Sequence, residues 1–171
     1  TAIYLSGYPI ILSSSISVRI NVSHPYVGDL YIYLKAPNGE VVNLAYANGG
    51  SGDNFTNTVF SSNSFGSLYS SSPPYTGTFK PTGVMNSPCS NYTPATIKGD
   101  IYQLGNGIID PNGFWQLEVM DLVGGDVGSI VGWDIYIDMN DSKNDRVPKW
   151  ENGNLVQSNI FSSNGKTGIG T

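Results

Sequence analysis

One histidine, one cysteine and thirteen acidic residues carry most of the evident chemistry in this 171-residue chain. The histidine, His24, stands shortly before Asp29 in VSHPYVGDLYIYLKAPNG. A Ser/His/Asp arrangement needs an imidazole that reaches both a hydroxyl and a carboxylate. Serines are plentiful, but no GxSxG turn is present to raise one as a nucleophile. His24 follows a strand-like run and precedes Pro25, which favours a local structural role. Cys89 sits in a Pro- and Ser-rich stretch with no marked partner, so it does not read as a catalytic thiol.

Metal chemistry narrows in the same way. Zinc needs several His or Cys ligands at defined spacing, and one of each does not supply them. Calcium takes carboxylate and carbonyl oxygens. Its candidate ligands are Asp29, Asp121 and Asp126. The plainer reading is that Asp29 and Asp126 bind backbone amides in turns. Glu40, Glu118 and Glu151 are the only glutamates, and the first two fall on apparent solvent faces, which argues against a glycosidase carboxylate pair. Tyr31, Tyr33, Tyr46, Tyr69, Tyr75 and Tyr92 are expected to be exposed, where they could stack on a sugar ring or a partner. They also suit a half-exposed sheet face.

The elements that position these groups alternate with period two. Ile16, Val18, Ile20 and Val22 share one face of ISVRINV; Leu30, Ile32 and Leu34 share one face of DLYIYLKA. Trp115, Leu117 and Val119 do so in FWQLEVMD, and Trp133, Ile135 and Ile137 in GWDIYIDM. Such alternation places one face in a core and the other in water, as in antiparallel strands of a sandwich. Pro37-Asn38-Gly39 joins DLYIYLKA to EVVNLAY as a hairpin turn would. Residues 61–110 show less periodicity and read mostly as long loops.

Composition agrees with this class. Charged residues are 12% and aromatics 12%, alongside 21 glycines. That is a turn-rich all-β domain with enough apolar content for a core. The net charge of −5 and the scattered basic residues argue against nucleic-acid binding. No apolar run approaches the length of a membrane span. After Met139 the chain turns polar, which suggests a first domain over 1–139 and a linker leading into a further segment over 140–171, where LVQSNIF could form one more strand.

The ordered motifs carry a family resemblance. SHPYVGDLYIYLKAPNGEVVNL, DNFTNTVF, PPYTGTFKPTG and NGFWQLEVMDLVGGDVGSIVGWDIYI resemble, in order, the blocks of the P domain, or Homo B domain, of subtilisin-like proprotein convertases and its bacterial relatives. The resemblance implies an antiparallel jelly-roll β-sandwich of about eight strands. It also implies no catalytic activity of its own, with calcium bound in some relatives. It makes His24 and Asp29 residues that lead into a strand, and puts Trp115 and Trp133 in the core or at its edge. The family often has aspartates just after its VF position, whereas Phe60 here precedes Ser61, Ser62 and Asn63. VMNSPCSNYTPATIKGD looks like an insertion. KWENGNLVQSNIFSSNGKTGIGT is similar to the GIGT lead-in of bacterial surface and phage tail-fibre-like proteins.

The combined expectation is a binding, adhesion or presentation module of a bacterial or phage surface or fibre protein. Its partners would be a cell-surface glycan or protein and neighbouring domains of the same chain, at an extracellular, cell-surface or virion location. Loops around residues 46–57 and 84–108 would carry specificity. The alternative is an accessory domain that stabilises a subtilisin-like protease in the same precursor.

Overall fold

The computed structural model describes residues 1–83 and 96–139 together with the course of three further strands. Two compact units divide the chain, Thr1–Ile137 and Asp138–Thr171. The first is a β-sandwich, as expected. One sheet orders β1 (Ala2–Leu5), β10 (Gly113–Asp121), β4 (Leu30–Lys35), β5 (Val41–Tyr46) and β8 (Ile97–Lys98). The other orders β11 (Ser129–Ile137), β3 (Ile16–Ser23), β6 (Phe55–Ser61) and β7 (Tyr75–Phe79). A small pair, β2 (Ile11–Leu12) and β9 (Ile108–Ile109), stands apart from both.

The alternation in β3 is borne out: Ile16, Val18, Ile20 and Val22 are buried, and the residues between them are not. They pack in one cluster with Leu30, Ile32 and Leu34 of β4 and with Trp115 and Leu117 of β10. Trp115 is fully buried, and its indole N–H donates to the Pro111 carbonyl at 2.9 Å, so its one polar atom is satisfied. Trp133 is half-buried against the same cluster. The Pro37-Asn38-Gly39 turn closes the β4–β5 hairpin, with Ala36 N–H donating to Glu40 O at 2.8 Å.

Three readings are corrected. Among its described residues the unit has eleven strands rather than about eight, because β1, β2, β8 and β9 are too short for alternation to register. Tyr33 and Tyr75 are buried, not exposed. Burial, then the neighbouring Tyr46 and Tyr31, hold the Tyr33 phenol well above its ordinary range. Tyr75 donates its hydroxyl proton to Leu68 O at 3.3 Å and closes an aromatic run between Phe55 and Phe79. Tyr31 and Tyr46 are half-exposed and stack at 4.1 Å across β4 and β5, and Tyr69 is exposed as expected. Tyr92 and Cys89 lie outside the described residues.

The third correction concerns Glu40, which does not face open solvent. Its side chain is only 20% exposed. One oxygen meets Lys98 Nζ at 2.9 Å; the other accepts from Gly105 N at 2.6 Å and Asn38 Nδ2 at 2.8 Å. The carboxylate therefore ties the β4–β5 hairpin to β8 and to the turn at Gly105 and Asn106. Both of those residues have left-handed φ, +58° and +60°.

The second unit is an antiparallel sheet of β12 (Arg146–Glu151), β13 (Asn154–Ser163) and β14 (Lys166–Ile169). LVQSNIF falls inside β13.

Burial raises the pKa of Glu40, but the Gly105 N–H, Lys98 and Asn38 outweigh it and hold the carboxyl below its ordinary 4.5. A depressed folded pKa gives stability that is present above the unfolded value and lost as pH falls through the folded one. Stability should therefore fall below about pH 4.5, and Glu40→Gln should flatten that part of the profile. At neutral pH, Glu40→Ala should cost about 1–3 kcal/mol by leaving the Gly105 amide without its acceptor. Urea midpoints measured from pH 3 to 7 check both expectations.

Candidate functional site

Four strand ends converge at one end of the sandwich. β3 and β11 pair through Val22 with Ile130 and Ser23 with Ser129. In the facing sheet, β10 and β4 pair through Asp121 with Leu30. Between these ends lies a cleft of about 160 Å³. Its lining is mostly aliphatic, from Val22, Leu30, Val119 and Ile130, with His24 and Asp121 as its titratable groups.

Local sequence explains how His24 comes to lie there. Its backbone exchanges hydrogen bonds with Asn54: His24 N–H donates to Asn54 Oδ1 at 2.9 Å, and Asn54 N–H donates to His24 O at 3.0 Å. Pro25 follows, and a single 3-10 turn, Val27–Asp29, leads into β4. Residues 49–52 pack against that turn, with Val27 N–H donating to Gly52 O and Gly28 N–H to Gly50 O, each at 2.9 Å. The loop expected over residues 46–57 thus braces the turn beside this end. Of the loop expected over 84–108, residues 84–95 lie outside those described.

The imidazole is 1% exposed, and both its nitrogens are engaged. Nε2 lies 3.2 Å from Asp121 Oδ2. Nδ1 lies 2.8 Å from Tyr26 O and 3.1 Å from Tyr26 N. A neutral ring that donates from Nε2 to Asp121 accepts from the Tyr26 N–H. A protonated ring donates to Asp121 and to the Tyr26 carbonyl. Either state leaves neither nitrogen free to take a proton from a hydroxyl, as a general base must. This His–Asp pair is a structural clamp between the two sheets.

Asp29 is nearer in the chain, yet His24 meets Asp121, which is 97 residues away. Asp29 is half-buried, and its carbonyl accepts from Leu122 N–H at 3.2 Å, which brings Asp29 and Asp121 to the same strand ends. Asp121 Oδ1 also accepts from Val123 N–H at 3.2 Å. Asp126 lies on the exposed β10–β11 connection. Among the described residues, no three His, Cys, Asp or Glu side chains gather as a metal-binding group. The cleft itself was missed at the sequence level. The one available signal was that MD, at the end of FWQLEVMD, aligns with the start of DLYIYLKA if the strands are neighbours.

The connection between two lining residues, Asp121 and Gly128, carries exposed apolar side chains. Leu122, Val123 and Val127 on the β10–β11 connection are exposed, Val123 at 54% and Val127 at 87%. Val131 is exposed where β11 bulges between Ile130 and Gly132. Gly128 backs the imidazole so closely that a Cβ would stand 2.5 Å from His24 Cδ2 and 2.5 Å from the Ser23 carbonyl oxygen. Gly128→Ala should therefore push the ring off its site and destabilise the unit by about 1–3 kcal/mol. The urea midpoint measures the cost, and the imidazole NMR resonances report the displacement. An unchanged midpoint with unshifted imidazole resonances would contradict the packing described.

No curated protein and no solved structure matches the chain at a significant level. The family comparison does find a match, which spans β3, β4, β5 and β6, including His24 and Asp29. The blocks at 73–83 and 112–137 lie beyond it and contribute β7, β10 and β11 to the same two sheets. Among the described residues, no helix is long and apolar enough to cross a membrane. The resemblance read from SHPYVGDLYIYLKAPNGEVVNL is thus shown over residues 13–71, which match the proprotein convertase P-domain, a non-catalytic accessory module built as a β-sandwich.

Proposed function

We propose that this chain is a non-catalytic β-sandwich module of a bacterial or phage surface or fibre protein, used for binding, adhesion or presentation. The observation that carries the reading is the cleft at one end of the sandwich, with exposed Leu122, Val123 and Val127 on the connection between its lining residues Asp121 and Gly128. Exposed apolar side chains beside a concave site are a common mark of an interaction surface. The GIGT-like tail supports a surface or fibre setting. Extracellular placement accords with the family match, since P-domain proteins are commonly secreted.

Calcium belongs to the same proposal. Asp29 and Asp121 come to the same strand ends, and Asp126 lies on the connection that follows. A melting temperature raised by millimolar calcium over EDTA supports a site there, and coincident melts reject it.

The match to the convertase domain favours a second reading, an accessory module that stabilises a subtilisin-like protease in the same precursor. The full reading frame separates the two: a protease segment upstream supports the second, and a fibrous segment downstream supports the first.

The binding end is tested with a Val123→Ser/Val127→Ser variant. Both side chains are exposed, so its melting temperature should stay within a few degrees of the parent. Its retention on a glycan array or on intact cells should fall at least about tenfold, which is about 1.4 kcal/mol. Unchanged retention would move the binding surface elsewhere on the sandwich.

A further inference from the structure

We infer that the cleft between His24 and Asp121 receives the basic side chain, lysine or arginine, of a partner protein. This rests on the binding reading above and specifies the chemistry of its partner.

The first observation is shape and lining. The cleft measures about 160 Å³, room for a side chain and not merely for one water. Val22, Leu30, Val119 and Ile130 present aliphatic walls. The methylene stem of a basic side chain packs on such walls while its charged end seeks a polar group.

The second observation is charge. Apart from His24, the side chains at these strand ends and on the connection between β10 and β11 that carry a charge at neutral pH are Asp29, Asp121 and Asp126, all acidic. Of the basic residues on the four converging strands, Arg19 is held by Asp134 at 2.6 Å, and Lys35 lies at the opposite end of β4. A basic group entering the cleft therefore meets the Asp121 carboxylate in the lining, and no lysine or arginine stands among the described lining residues.

Asp121 is built to receive it. Its side chain is 32% exposed, so it faces both the interior and the cleft. Its two known partners, His24 Nε2 and Val123 N–H, take one site on each oxygen. A carboxylate offers about four acceptor sites, so each oxygen keeps capacity for an ammonium or guanidinium donor. The His24 clamp fixes the carboxylate in advance, which spares an entering cation the entropy of ordering it.

The third observation is the surface beside the cleft. A free amino acid or a metal ion needs only the carboxylates. Leu122, Val123 and Val127, exposed on the connection that runs from Asp121 to Gly128, add apolar surface beside those two lining residues, which suits the backbone and neighbouring side chains of a protein segment.

The test titrates the full chain with N-acetyl-lysine methylamide and N-acetyl-arginine methylamide, followed by NMR. N-acetyl-norleucine methylamide serves as the uncharged analogue, and calcium chloride and N-acetylglucosamine as further arms. At least one basic probe should shift the Gly128 and Ser129 amides and the Val22 and Ile130 methyls in a saturable way. Norleucine should bind at least tenfold more weakly. Asp121→Asn should weaken the basic probe at least tenfold, and Val119→Phe, which enlarges a side chain of the lining and keeps the carboxylate in the sequence, should do the same. The inference is overturned if neither basic probe shifts these signals, if norleucine shifts them equally, or if only calcium or the sugar does. Should Val123→Ser/Val127→Ser still abolish cell or glycan retention in that event, the binding end stands and only its partner chemistry is wrong.

Discussion

Everything at the cleft end depends on the two sheets closing on one apolar face. Ile16, Val18, Ile20 and Val22 of β3 meet Leu30, Ile32 and Leu34 of β4, with Trp115 and Leu117 alongside. Because side chains alternate with period two, a slip of one residue would turn the whole β3 set into water. Each buried aliphatic side chain contributes about 1.5–3 kcal/mol of transfer free energy, so the register is held by many small terms acting together. The cleft is where this closure ends: β3 and β4 run out, and the facing strands part around His24 and Asp121.

The imidazole can be understood from that boundary. A polar ring buried at the margin of an apolar core costs free energy unless its nitrogens are paired. Asp121 and the Tyr26 backbone supply both pairings. The same pairings join β10 in one sheet to the segment that leaves β3 in the other. One group thus closes the end of the sandwich and orients a carboxylate, and the satisfaction that makes it stable removes it from acid–base work.

Much of the sandwich was legible because its central strands are long and strictly alternating. ISVRINV, DLYIYLKA and FWQLEVMD each became a strand with the expected face inward. What escaped has physical reasons. Two-residue strands such as β8 and β9 have no period to read. In β11 a bulge after Ile130 lets both Ile130 and Trp133 pack on the core, although their spacing is odd and simple alternation puts them on opposite faces. Tyr33 and Glu40 look like solvent-face residues along the chain, but β8 and the turn at Gly105 come from far away in sequence to meet Glu40, and Tyr33 is enclosed.

The candidate site shows the same division between local and distant information. Local sequence placed His24 at the end of a strand, with Asp29 as the nearest carboxylate along the chain. Sheet order supplies a different carboxylate: β10 lies beside β4 in an antiparallel register, which sets Asp121 opposite Leu30 and within reach of the ring. Asp29, on a tight turn, contributes a backbone carbonyl instead. A pair 97 residues apart leaves no spacing motif to read, and only strand pairing can bring it together. The residues that matter most at this end are those that close it: a glycine with no room for a methyl group, a histidine with no spare nitrogen, and an aspartate that still has acceptor sites facing out.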